Sequence, residues 1–330
     1  MAKAAVVHEF GGPDAFSIDD IEVGAPGDGQ VRIRQTAIGV NFAEVKQRSG
    51  DSYNFPLGDL PIILGREGAG IVEAVGAGAE AFKPGDRVAY GMGGTGGYAE
   101  ERLVAANRLL HLPDGITEAT AASVMVRGLT AWYLGQRAYP IQPGDWVLVH
   151  AAADGVGLIL IQWAKHVGAV VIGTAGSDAK TEIAASHGCD HVINYTNTDV
   201  AGAVADLTGG AGVAAVFDAI GRDTFEASLD SLADLGHFVT YGAASGDVTG
   251  IDPKIFMHKG SLHFTRTSLR HYTKKRSDLE TGAQALFQLI KDGAIRPKIN
   301  QFHGLEEMAA AHRALESRQL TGSVVVRTGN

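Results

Sequence analysis

Of the 330 residues in this chain only one, Cys189, is a cysteine. An internal disulfide is therefore excluded, as is any metal centre built on several thiolates, and the expectation is a buried structural thiol. The chain also lacks any uninterrupted apolar run of the length a membrane helix needs. Its start, Met1 to Glu9, reads as a strand entering a loop rather than as the long apolar core of a signal peptide, so a soluble, cytoplasmic protein is expected. Positive charge is scarce as well. Lysine and arginine number 28 against 37 aspartates and glutamates, a formal charge of −9, which argues against broad nucleic-acid binding. The one basic cluster, Lys274-Lys275-Arg276 beside Arg270 and His271, reads as a solvated face. Neither an internal repeat nor a low-complexity tract is present.

What the chain does have is 44 glycines spread along turn positions, as expected of many short strands and βα turns, and enough length for two cores rather than one. From Val31 to about Leu112, short alternating runs broken by glycine, proline and aspartate predict a turn-rich β domain. Examples are Val31-Arg32-Ile33-Arg34, Ala69-Gly70-Ile71-Val72 and Asp86-Arg87-Val88-Ala89-Tyr90. After Asp145 the strands become continuously apolar: Trp146 to His150, Ala169 to Gly173, Val213 to Asp218 and Gly236 to Gly242. Helical segments lie between them, at about 155–164 and 178–187. Continuous strands alternating with helices predict an α/β fold with a doubly wound parallel sheet. The last segment, a helix near 279–292 and a strand at 323–326, is expected to return to the β domain.

Between the first of these strands and its helix lies Asp154-Gly155-Val156-Gly157. Glycines at such a turn let backbone N–H groups and the positive helix end approach a pyrophosphate, and the surrounding strand–turn–helix context points to a dinucleotide. An NAD-specific site places an acid at the end of the second strand, to bond the ribose hydroxyl. Here the chain reads Gly173-Thr174-Ala175-Gly176-Ser177, with Lys180 in the next turn, which favours NADPH; a merely solvated Lys180 is the competing reading.

Taken together, Gly39-Val40-Asn41-Phe42, Arg48-Ser49-Gly50, Glu67-Gly68-Ala69-Gly70, Gly128-Leu129-Thr130-Ala131, His150 through Gly157, Val192-Ile193-Asn194-Tyr195, Gly221-Arg222-Asp223-Thr224 and Leu315-Glu316-Ser317-Arg318 resemble, in order and over nearly the whole chain, a known family. It is that of the zinc-free, zeta-crystallin-like quinone oxidoreductases of the medium-chain dehydrogenase/reductase superfamily. The resemblance implies a GroES-like catalytic β domain over 1–124, completed by 268–330, and a Rossmann domain over 125–267 that holds NADPH. It also implies a homodimer built through the Rossmann domains. By the same resemblance Lys180, Tyr195 and Arg318 grip the ribose 2′-phosphate, Asn41 and Tyr133 stand near the nicotinamide, and Tyr241, Gly242 and Arg266 line the cofactor cleft. Asn41 and Arg66 occupy the positions where zinc-dependent relatives carry cysteine and histidine, so no metal is expected. Two departures from the family are Asp154, where the fingerprint normally has its second glycine, and Lys46, where a tyrosine usually faces the substrate.

Without a Lewis acid to polarise a carbonyl, an acceptor that takes hydride readily is expected, a quinone first and an α,β-unsaturated ketone or aldehyde second. Asn41 is the candidate donor to the developing oxyanion, with Tyr53 and Lys46 behind it. A non-catalytic NADPH-binding role, structural or RNA-binding, is the alternative from another class. For Asp154 two arrangements are open: a carboxylate turned inward over the helix N–H groups that would receive the pyrophosphate, or one turned outward.

Overall fold

A computed structural model describes residues 1–51, 57–317 and 320–328 of the chain. They form two compact units, one made of Met1–Arg127, Arg276–Lys291 and 297–330, the other of Gly128–Lys275 and Asp292–Arg296.

The second unit is built on an all-parallel sheet of six strands. Its order is His191–Asn194, Val170–Ala175, Trp146–Val149, Val213–Asp218, Leu232–Thr240, His263–Arg266. The first of these six strands in chain order, Trp146–Val149, is thus central, and the strand order reverses between it and Val213–Asp218. Doubly wound sheets bind nucleotides beyond the strand ends at such a reversal. Its strands carry apolar side chains on both faces because helices cover both: Val147, Leu148, Val149, Ile172, Val216, Phe217 and Phe238 are all fully buried. The helix Gly155–Val167 follows the central strand and ends on Gly168 in the left-handed region, a conformation that glycine adopts without a Cβ clash. Cys189 is buried as expected, and desolvation pushes its thiol up to about 12, which leaves it protonated and inert.

The first unit is dominated by a seven-stranded sheet organised by one long strand, Gln30–Val40. Along its length it pairs antiparallel with Glu67–Val75, Glu101–Ala105 and Ser323–Arg327. The last of these comes from the C-terminal segment, which seats Val324 and Val326 in a core with Ile38, Val40, Leu64 and Tyr98. A smaller sheet holds Phe16–Ile21, Ala2–Val7 and Ile62–Ile63. Two alternating runs of the sequence, Val31–Arg34 and Ala69–Val72, are parts of the longer strands Gln30–Val40 and Glu67–Val75.

Candidate active site

In the first unit the site is built around a buried carboxylate. Glu67 begins a strand and is fully buried. One of its oxygens accepts from the Asn41 side-chain amide at 2.8 Å and from Arg127 at 3.3 Å, and the other accepts from the Val126 backbone N–H at 2.6 Å. Arg127 in turn donates to the Val40 carbonyl oxygen at 2.6 Å. Burial lifts the Glu67 carboxyl to about 7, and the Arg127 charge, the Val126 N–H and the Asn41 amide pull in the opposite direction. Gly39 is required beside it, since a Cβ there would collide with Glu67 and with the Ala122 carbonyl oxygen.

Asn41 caps the helix Phe42–Arg48, and its backbone N–H donates to Glu44 Oε2 at 2.9 Å. Glu44, also buried, faces Arg66 at 3.5 Å, and Arg66 donates to Gln47 Oε1 at 2.9 Å. Asn41 is therefore an amide held by a carboxylate, and Arg66 a guanidinium held by a carboxylate and an amide. Among the described residues no group of three or more His, Cys, Asp or Glu side chains could hold a metal ion. Lys46 lies later on the Asn41 helix and pairs with Asp51 at 3.1 Å. Tyr53 lies outside the described residues.

In the second unit two groups of residues gather at the carboxyl ends of the parallel strands. Tyr241 and Gly242 follow Leu232–Thr240, and Arg266, from the neighbouring strand, donates to the Gly242 carbonyl oxygen at 2.8 Å. The Thr267 hydroxyl donates to the Thr240 carbonyl oxygen at 3.1 Å, and Tyr133 OH lies 3.0 Å from Thr267 Oγ1. Because the single Thr267 hydroxyl proton is already committed, Tyr133 is the donor. The Tyr133 ring stacks on Tyr272 with centroids 4.4 Å apart. Neither Thr267 nor Tyr272 was legible as a site neighbour, since a lone threonine after a strand and a lone tyrosine ending a short helix carry no spacing signal.

The other group surrounds Gly155-Val156-Gly157. A Cβ on Gly157 would strike the Ala151 carbonyl oxygen, so only glycine allows the helix to start this close to the turn. Ala151 itself has φ 53°, a left-handed conformation costing an alanine about 1–2 kcal/mol. Asp154 takes the N-cap position, yet its carboxylate makes no capping bond. Instead it lies 3.1 Å from Lys180 Nζ, so the carboxylate is turned away from the helix N–H groups and no stabilising cap exists to be lost. Tyr195 is half exposed and places its hydroxyl over Gly176, where a Cβ would meet it. Asp178, the nearest acid after the second strand, accepts from Asn194 at 2.7 Å and is thereby engaged elsewhere. The structure thus pairs Asp154 with Lys180 and sets Tyr195 over Gly176, just before the Lys180 helix; Arg318 lies outside the described residues. His150, next to the turn, is a buried packing residue bonded to Thr174 and Ser228.

These features fit a dinucleotide. A glycine cradle, helix N–H groups not occupied by the cap side chain, and a lysine and a tyrosine following neighbouring parallel strands all belong to the second unit.

Comparisons with known proteins agree. Residues 27–114 match the alcohol dehydrogenase GroES-like domain and residues 155–287 the zinc-binding dehydrogenase family. A quinone oxidoreductase of Pseudomonas aeruginosa is 45% identical over 326 residues, 99% of both chains. A 2-haloacrylate reductase of a Burkholderia species is 42% identical, again over 99% of both. The crystal structure of Escherichia coli quinone oxidoreductase complexed with NADPH superposes with a TM-score of 0.94 at 39% identity, covering 99% of this chain and 100% of that one. With a GroES-like β unit, a Rossmann unit and similarity of this extent along its whole length, the chain belongs to the quinone oxidoreductases of the medium-chain dehydrogenase/reductase superfamily.

Proposed function

We propose that this protein reduces quinones with NADPH without the help of a metal ion. The observation that carries the reading is the 45% identity, over 99% of both chains, to a quinone oxidoreductase. The NADPH-complexed structure of the Escherichia coli relative, with Lys180 and Tyr195 both following strands of the parallel sheet beside the glycine turn, supports the cofactor. The second unit is the cofactor-binding part and the first the catalytic part.

NADPH, when bound, supplies hydride. Gly155, Val156 and Gly157 receive the pyrophosphate through backbone N–H groups, Lys180, Tyr195 and Arg318 take the ribose phosphate, and Tyr133, Tyr241, Gly242 and Arg266 bound the remainder. Asn41 has two amide protons. One is held by Glu67, which fixes which end of the amide is nitrogen, and the second is the donor we assign to the acceptor oxygen as charge develops on it. Lys46 and Tyr53 are the further polar side chains assigned to the acceptor. With Asn41 and Arg66 committed to carboxylate and amide partners, no ligand pair is left at those positions for zinc.

A second reading has its own support. The 2-haloacrylate reductase relative acts, by its name, on an activated alkene, and the same hydride donor and oxyanion donor serve such an acceptor. Following NADPH absorbance with 1,4-benzoquinone, a naphthoquinone, 2-chloroacrylate and an enone, with and without chelator, tests all of this. Quinone turnover at least tenfold faster than alkene turnover, unchanged by chelator, is expected. Faster alkene turnover selects the second reading, no turnover at all selects a non-catalytic role, and loss on chelation overturns metal independence.

The homodimer and the cytoplasmic location belong to the same proposal. No helix among the described residues is long and apolar enough to cross a membrane. The strand His263–Arg266 is an edge of the six-stranded sheet, and Phe264, Met257 and Leu235 are large apolar side chains exposed in that unit. An edge strand with apolar side chains is a template for pairing with a second copy. Sedimentation should give twice the mass of one chain, and Phe264→Lys should give the single-chain mass; a monomeric wild-type protein would contradict the pairing.

A further inference from the structure

We propose that Asp154 is a specificity-determining residue for the cofactor, and that it acts by holding Lys180, the cation that reads the ribose 2′-phosphate. The inference rests on the NADPH reading above and adds a residue that works against it.

Asp154 adopts φ −91° and ψ 175°, an extended backbone that needs no glycine, so its side chain is accommodated without strain. Placed before a helix, an aspartate ordinarily turns its carboxylate onto the first free N–H groups. This one does not, and its Oδ1 meets Lys180 Nζ at 3.1 Å across two βα turns, 26 positions along the chain. Lys180 is shaped to stay there. Ser177 caps its helix and accepts from the Lys180 backbone N–H, and its side chain is only 22% exposed, against 54% for Asp154.

A ribose 2′-phosphate brings close to two negative charges to Lys180. The Asp154 carboxylate must then either leave the ammonium or stay within a few ångströms of the phosphate. Leaving costs the ion pair, and staying, held there by Lys180, costs repulsion; both routes run through the lysine and both oppose NADPH. NADH carries a neutral 2′-hydroxyl, which neither competes for Lys180 nor repels a carboxylate and can donate a hydrogen bond to it. Asp154 therefore narrows the margin by which the protein prefers NADPH. A glycine or asparagine at this position widens it.

The test is calorimetric titration, with no acceptor present, of the wild type, Asp154→Asn, Lys180→Ala and the double variant. The ligands are NADPH, NADH, adenosine 2′,5′-bisphosphate and 5′-AMP. Asp154→Asn should tighten NADPH and the bisphosphate about three- to fivefold, the upper part of the range of an exposed charge pair. It should leave NADH and 5′-AMP within about twofold, and it should have no effect in the Lys180→Ala background. Unchanged or weaker NADPH binding in Asp154→Asn overturns the proposal. Equal tightening of NADH and 5′-AMP also overturns it, since the carboxylate would then act on the 5′-phosphate or pyrophosphate. Tightening that persists without Lys180 overturns the route through the lysine. If Lys180→Ala itself leaves NADPH and bisphosphate affinity unchanged, the underlying phosphate reading fails; if Lys180→Ala loses tenfold or more while Asp154→Asn changes nothing, that reading stands and only this proposal falls.

Discussion

Replacing Glu67 by leucine is expected to lower the unfolding free energy by about 3–5 kcal/mol at pH 8, above the value of about 7 to which burial raises its carboxyl. The size follows from what is left behind. Arg127 is buried beside Glu67, and a guanidinium without its carboxylate keeps its desolvation cost and loses the attraction that offset it. The Val126 N–H and the Asn41 amide lose their acceptor at the same time, at about 1–3 kcal/mol for each buried group left unsatisfied. Removing both charges should be milder than removing one. Glu67→Leu combined with Arg127→Met should recover about 1–3 kcal/mol, with the Val40 carbonyl oxygen as the remaining orphan. Urea unfolding of Glu67→Leu, Arg127→Met and the double variant against wild type decides it. A loss below about 1 kcal/mol in Glu67→Leu, or a double variant worse than the sum of its parts, would show that the carboxylate is not the keystone of this cluster. Catalysis gives a separate signal, since an Asn41 amide released from Glu67 can flip: turnover should fall in Glu67→Leu, which offers no acceptor, and less in Glu67→Gln, whose carbonyl oxygen still accepts.

The second large effect lies in acid stability and comes from His312. This histidine is fully buried, with its Nδ1 at 2.9 Å from Arg48 Nη1 and its Nε2 at 3.0 Å from Tyr98 OH. The guanidinium can only donate, so the imidazole is neutral, accepts at Nδ1 and donates from Nε2 to the Tyr98 oxygen. Burial first, and the adjacent Arg48 charge second, press its pKa down to about 3 from an ordinary 6.5. Above pH 6.5 neither folded nor unfolded chain carries the proton, and the contribution to stability is complete. As pH falls from 6.5 towards 3 the unfolded chain takes up a proton that the folded chain refuses, and stability is lost at about 1.4 kcal/mol per pH unit. His312→Gln keeps an acceptor and a donor but does not titrate. It should be less stable than wild type at pH 7, and the gap should narrow by about 2–3 kcal/mol by pH 4.5. Parallel plots of unfolding free energy against pH for the two proteins would mean that His312 is not what acid attacks.

Much of the fold can be read without coordinates, and particular residues show why. Trp146 to Val149, followed by two glycines and an apolar helix, declares a buried parallel strand and its crossover through a period and an apolar continuity that adjacent residues carry among themselves. Extents are less legible. The sequence breaks Gln30–Val40 at Gln35, whose amide is in fact buried and donates to the Gly97 and Ala99 carbonyl oxygens; a polar residue inside a strand looks like an interruption until its partners are seen. Glu67 stands in the sequence as one glutamate in a glycine-rich motif, with nothing nearby to mark it as buried or to name Arg127 and Val126 as its partners.

The sequence by itself determined the two-part α/β architecture, the glycine turn before the helix Gly155–Val167, and the presence of an amide and a guanidinium, neither a thiolate nor an imidazole, at positions 41 and 66, because each is a matter of residue type and short-range spacing. Tertiary structure alone decided that Asp154 turns to Lys180 instead of capping its own helix, that Glu67 anchors Asn41, and that His312 sits uncharged between Arg48 and Tyr98. The energies of those contacts depend on distance and on the polarity of their surroundings, and both are set by segments that meet only when the chain is folded.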